Sequence, residues 1–120
     1  MKLLYTLIIL FAFFISCSTE PIKKEIYYEV VGSADKVSIT LTNQQGNTVQ
    51  FTDIKLPYHQ RYTVNKRDFI YISAQNEGSY GSVTANIYVN KKGDYNKGQL
   101  FQTATSSGGY VIASASGSCP

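Results

Sequence analysis

From residue 25 onward the chain alternates apolar with polar or aromatic side chains. Val37, Ile39 and Leu41 interleave with Ser38, Thr40 and Thr42; Ile70, Ile72 and Ala74 with Phe69, Tyr71 and Ser73; Val83, Ala85, Ile87 and Val89 with Thr84, Asn86, Tyr88 and Asn90. Period two sends successive side chains to opposite faces of an extended strand, and β-branched and aromatic residues suit a half-buried pleated surface. The Val, Ile, Leu and Ala positions are therefore predicted to face a core, and Phe69, Tyr71 and Tyr88 to face away from it. Ile26 to Val31 and Tyr110 to Ala115 fit less cleanly, the latter with Val111, Ala113 and Ala115 on one side. Breakers separate these runs: Gly32-Ser33-Ala34, Gln45-Gly46-Asn47, Leu56-Pro57, Asn76-Glu77-Gly78, Asn90 to Gly98 and Ser106 to Gly109. No stretch after residue 20 sustains a helical period. About eight short strands at a spacing of about 8 to 12 residues predict an all-β fold, a single antiparallel β-sandwich of the immunoglobulin or transthyretin kind.

Length bounds the core. The chain has 120 residues, so it supports one small domain and excludes a multidomain enzyme. A body of about 95 residues buries roughly 60 to 65% of its unfolded surface. Only 16% of residues are charged, while ten Tyr and six Phe are present, which is far from a disordered composition. The formal charge of +3 includes Lys2; without it, ten basic residues against eight acidic ones leave +2. No nucleic-acid partner is expected from so small an excess of base.

The first residues carry a different signal. After Met1 and Lys2, Leu3 to Ile15 is a 13-residue run with only Tyr5 and Thr6 polar-tipped. A spanning helix needs about 20 such residues, whereas a secretory signal uses about 7 to 15. The run ends in Phe14-Ile15-Ser16-Cys17, which resembles a bacterial lipobox. That resemblance implies that the Cys17 sulfur takes a diacylglyceryl group as a thioether, and that cleavage makes Cys17 the new N-terminus. The expected organisation is a lipoprotein signal peptide over 1–16, a lipidated tether over 17–24, the β-sandwich over 25–117 and a C-terminal tail over 118–120. Two or three acyl chains hold a protein stably on a bilayer, so the membrane is an expected partner through lipid alone. Ser18 and Thr19 lack an acidic inner-membrane retention cue, which points to a cell-envelope location on the outer membrane, on either face. Lys23 and Lys24 read as solvated linker charges, with contact to anionic head groups as the alternative. With Cys17 acylated, Cys119 has no intramolecular partner and is expected to be a spectator on a frayed tail.

Several segments together resemble a known family. Tyr28-Glu29-Val30-Val31-Gly32, Val37 to Asn43 with Gly46 in the following turn, Leu56-Pro57-Tyr58 and Ser82 to Asn90 are similar to the mycobacterial small membrane protein (MmpS) family. With the lipobox, Tyr71 to Asn76 and Gly109 to Ala113, the pattern also resembles small uncharacterised lipoproteins of Bacteroidota. The resemblance covers about residues 27 to 117 and implies an extracytoplasmic β-sandwich. The mycobacterial members are accessory partners of RND-type exporters, so it also implies an envelope-protein partner. Two departures stand out. A lipid replaces the family's transmembrane helix, and Ala85 and Ala113 occupy the positions of the family's disulfide. Tyr58 stands where the family usually has Trp.

Catalytic motifs are missing from the sequence. His59 is the one histidine, and it follows the Leu56-Pro57-Tyr58 turn with no Gly-x-Ser-x-Gly elbow. The carboxylates are scattered at strand ends, and Asp94 to Gly98 supplies one carboxylate where calcium wants about 6 to 8 oxygens. No phosphate loop, dinucleotide fingerprint or HExxH occurs, so no cofactor, metal or enzymatic activity is expected. Nine of the ten tyrosines follow the leader, and Tyr gives contact area at low entropic cost. Phe69, Tyr71 and Tyr88 are accordingly the candidate binding face. Two functions are expected: a non-enzymatic accessory module that docks to an envelope protein, or a lipoprotein that holds a glycan or small ligand on a tyrosine-lined face, with Asn86 or Gln75 supplying amides.

Overall fold

A computed structural model describes residues 20–120, so Cys17 and the 1–16 segment lie outside the described residues. The fold is the expected antiparallel sandwich. Its eight strands are β1 (Lys23–Val31), β2 (Val37–Thr42), β3 (Thr48–Ile54), β4 (Tyr58–Asn65), β5 (Phe69–Asn76), β6 (Ser82–Lys91), β7 (Gln99–Ser107) and β8 (Ile112–Ser118). They form two four-stranded sheets, ordered β4-β1-β6-β7 and β3-β2-β5-β8. These are called the first and second sheets.

Local sequence accounts for the turns. After β2, the Asn43 side-chain oxygen accepts from the amides of Gln45 and Asn47, each at 3.0 Å, while Gly46 takes a positive φ of 80°. This Asx-type turn reverses the chain into β3. After β1, Gly32 adopts a φ of 145°, and a Cβ there would meet the Ser82 carbonyl oxygen at 2.1 Å. Only glycine lets the crossover to the second sheet pass that close to β6.

Most of the predicted inward positions build the core, and Val89 and Val111 pack against it half-buried. Val37, Ile39 and Leu41 of β2, Ile70, Ile72 and Ala74 of β5, Val83, Ala85 and Ile87 of β6, and Ala113 and Ala115 of β8 are all buried. The poorly alternating β1 supplies Ile26, Tyr28 and Val30, also buried. Tyr28 reads as polar by composition yet sits fully inside, because its hydroxyl finds partners across the sandwich. Ala85 and Ala113, small and inward-facing, occupy the core on opposite sheets.

The ordered body extends beyond 25–117 at both ends. Lys23 and Lys24 belong to β1 rather than to a tether, paired with Asn65 and Val64 of β4. The tail is not frayed. The Cys119 amide donates to the Asp68 carbonyl at 2.8 Å, and its own carbonyl accepts from the Arg67 amide at 2.7 Å. Only 1% of Cys119 is exposed. The β4–β5 turn thus grips the C-terminus, a long-range contact that position in the sequence does not announce.

Candidate binding face

Because Ile26, Tyr28 and Val30 point inward, Tyr27 and Glu29 must point outward on the first sheet. The register then chooses their neighbours. Tyr27 lies opposite Arg61 of β4 and Tyr88 of β6, and Glu29 lies opposite His59 and Asn86. Cross-strand neighbours on one face stand within side-chain reach, so these six positions form a contiguous surface.

The rings meet at Tyr27. Its ring stacks on His59 with centroids 5.7 Å apart and meets Tyr88 edge-on at 6.1 Å. Two cations cap the aromatics. The Arg61 guanidinium lies 5.2 Å from the Tyr27 centroid, and Lys97 Nζ lies 4.6 Å from that of Tyr88. Both distances fall within the cation–π range of about 6 Å.

Lys97 arrives on the β6–β7 loop, which folds back over the sheet. The Arg61 guanidinium donates to the Tyr95 carbonyl at 2.5 Å and to the Asn96 carbonyl at 3.2 Å, and the Gly93 amide donates to Glu25 Oε1 at 3.4 Å. Glu25 is buried beneath this loop and also accepts from Thr63 Oγ1 at 2.9 Å. Asp94 Oδ1 accepts the Asn96 amide at 3.1 Å, which makes the 94–98 segment a self-bonded turn. Tyr95, at its tip, is 73% exposed.

Glu29 is the polar hub. It pairs with Lys97 Nζ at 2.6 Å and accepts from Asn86 Nδ2 at 3.1 Å and the Tyr88 hydroxyl at 3.4 Å. Asn86 Oδ1 in turn accepts from Thr103 Oγ1 at 2.6 Å. Partial burial pulls the Glu29 carboxyl upward, but Lys97, Asn86 and Tyr88 outweigh it and hold the group below its usual range. The hydrogen bond that Lys97 donates to Glu29 correspondingly lifts its ammonium above its usual value.

The three residues singled out from the sequence do not share a face. Tyr88 belongs to this cluster, whereas Phe69 and Tyr71 stack on each other at 6.3 Å on the outside of the second sheet. Alternation marked all three as outward but could not say which sheet each strand joins; β5 and β6 are consecutive yet lie in different sheets. Gln75 is likewise on the second sheet, whereas Asn86 is on the first. The sequence reading missed Tyr27, Arg61, Tyr95 and Lys97. The adjacent Tyr27-Tyr28 pair was the available signal, since a strand must send one of the two rings outward.

His59 is exposed, and among the described residues no side-chain hydrogen bond orients its ring for base catalysis. No group of three or more His, Cys, Asp or Glu side chains converges among the described residues, and no described helix is long and apolar enough to cross a membrane. A separate cleft of about 420 Å³ opens at the end of the sandwich where β1 begins. Its lining includes Val89, Leu100, Phe101 and Pro120, with Lys24 and Lys91 beside them. No protein-family model matches this chain, and no curated protein matches it either.

Proposed function

We propose that the protein is a lipid-anchored, non-enzymatic binding module of the cell envelope, held at the outer membrane through Cys17, and that it docks to an envelope protein through the outer face of its first sheet. The observation that carries this reading is the cluster around Tyr27. Tyrosine and arginine are the residues that protein interfaces use as anchors, and here Tyr27 packs against Tyr88 and Arg61 while Tyr88 is also tied to Glu29. Packed anchors lose little entropy on binding. The lipobox-like Phe14 to Cys17 supports the anchor, and the resemblance to the MmpS family supports an RND-type export complex as the partner.

A second reading draws on Asn86 and Glu29, whose polar groups converge beside the Tyr27 and Tyr88 rings as a sugar-binding surface would require. Asn86 is buried, and its amide oxygen and nitrogen are both engaged within the protein, which favours the protein-docking reading.

Affinity purification of the mature lipoprotein from native envelope tests the proposal. The Tyr27→Ala/Tyr88→Ala variant is expected to lose a prey protein that the Phe69→Ala/Tyr71→Ala variant keeps. Identical prey from wild type and Tyr27→Ala/Tyr88→Ala, with both folded, would contradict it. Retention on a glycan array that the same variant abolishes would favour the second reading.

A further inference from the structure

We propose that the end of the sandwich where β1 begins is a contact surface for anionic phospholipid headgroups. This rests on the anchored reading above, because the anchor is what brings that end to a bilayer. The fold gathers positive charge there from three distant stretches of chain. Lys24 lies opposite Lys91 in the β1–β6 ladder, and Lys23 lies opposite Asn65, beside Lys66. The Lys66 amide donates to the Ile22 carbonyl at 2.6 Å, and the adjoining Arg67 amide holds Cys119, so the β4–β5 turn is fastened both to the segment that enters β1 and to the C-terminal segment. Lys23, Lys66, Arg67, Lys91 and Lys92 are exposed, and Lys24 is half-buried.

The carboxylates at this end, Glu20, Glu25, Asp68 and Asp94, number four against these six bases. Asp68 accepts the Asn65 amide at 2.9 Å, and Glu25 is buried under the β6–β7 loop. Among the described residues the one ion pair is Lys97 with Glu29, away from this end. The opposite end carries Lys36 and Lys55 against Asp35, Asp53 and Glu77. The body is therefore electrically polar along the strands although its total charge is small.

Apolar groups accompany the base. Ile22 is 58% and Phe69 60% exposed at the same end. The cleft there is lined by Val89, Leu100 and Phe101 together with Lys24 and Lys91. Exposed apolar side chains next to lysines are what a headgroup–acyl boundary accommodates. Reach agrees. Six positions separate Cys17 from Lys23, which span at most about 20 Å of extended chain. A tether this short keeps the basic end near the surface, where the potential of anionic lipid extends over a Debye length of about 8 Å.

The test uses residues 20–120, which contain all eight strands and the whole core described above, and so needs no acyl chain. Sedimentation with phosphatidylcholine vesicles, with and without about one-third phosphatidylglycerol, reads the affinity of the end itself. The wild type is expected to bind the anionic vesicles only, and to release as sodium chloride is raised. Each basic side chain near the surface strengthens partitioning about fivefold, so Lys66→Gln/Lys91→Gln/Lys92→Gln should weaken it about a hundredfold. Lys36→Gln/Lys55→Gln should leave it unchanged. Equal binding to both vesicle types, or no loss in the triple variant, would overturn the proposal. So would a duplex DNA that binds more tightly than the anionic vesicles, because the end would then be a general polyanion site. Because Cys17 is absent from this polypeptide, failure here leaves the anchor untouched, and failure of acylation at Cys17 leaves this measurement intact.

Discussion

The hydroxyl of Tyr28, on the first sheet, lies 2.9 Å from Thr42 Oγ1 on the second, and both hydroxyl oxygens accept the Tyr71 backbone amide, at 3.2 and 3.1 Å. The β2–β5 ladder stops at Leu41 with Ile72, one step short of this point. A side chain from the facing sheet thus satisfies an amide that the ladder leaves over, and ties the two layers together. Burial raises the Tyr28 pKa above its ordinary value despite these hydrogen bonds, so the group stays a neutral phenol.

Tyr28→Phe removes one acceptor but leaves Thr42 to hold the Tyr71 amide, so the expected loss is about 1 kcal/mol. Tyr28→Phe/Thr42→Val leaves that buried amide with no acceptor and should cost about 1 to 3 kcal/mol beyond the single change. Urea denaturation of both variants checks this. A double variant no less stable than the single one would show that the tie is dispensable.

Ile72 and Ile87 are fully buried, one on each sheet. Cutting either to alanine opens a cavity in a core with no disulfide among the described residues, at an expected cost of about 2 to 5 kcal/mol. Chemical denaturation midpoints equal to wild type would contradict the assigned faces.

The Glu29–Lys97 pair has a defined pH window. A lowered carboxyl pKa adds stability above its unfolded value of 4.5 and loses it as pH falls through the folded value. A raised ammonium pKa adds stability below its unfolded value of 10.5 and loses it as pH rises through the folded value. The coupling is therefore complete between these limits. Lys97 is nearly half exposed, so a cycle of Glu29→Gln and Lys97→Met should give only about 0.2 to 1 kcal/mol at neutral pH, and nothing near pH 2. A coupling that persists in strong acid would rule out the ion pair as its source.

Burial pushes the Cys119 thiol above its usual pKa, with Asp68 adding to the rise and Lys24 opposing it. Thiolate is the reactive form, so the native protein should be alkylated by iodoacetamide at pH 8 far more slowly than the urea-unfolded chain. Equal rates would mean that the C-terminus detaches from the β4–β5 turn in solution.

The inner half of this fold was legible because it is written locally. Val83, Ala85 and Ile87 announce their face by alternation, and the same pattern in β2 and β5 supplies most of the second sheet's core. The candidate face was not legible, because Tyr27, Arg61, Tyr88 and Lys97 meet only through strand register and a folded-back loop. Phe69 and Tyr71 satisfied the same local rule as Tyr88, yet the topology sent them to the other side. Cys119 was misread for the same reason: its partners, Arg67 and Asp68, lie far away in the chain.

Intact mass spectrometry of the native protein, expressed from its own leader and recovered after membrane fractionation, puts the anchored-module account to its hardest trial. The account predicts a membrane-bound chain that begins at Cys17 and carries the mass of a diacylglyceryl group there. A chain found in the soluble fraction, starting at another residue and bearing no fatty acid, would contradict it.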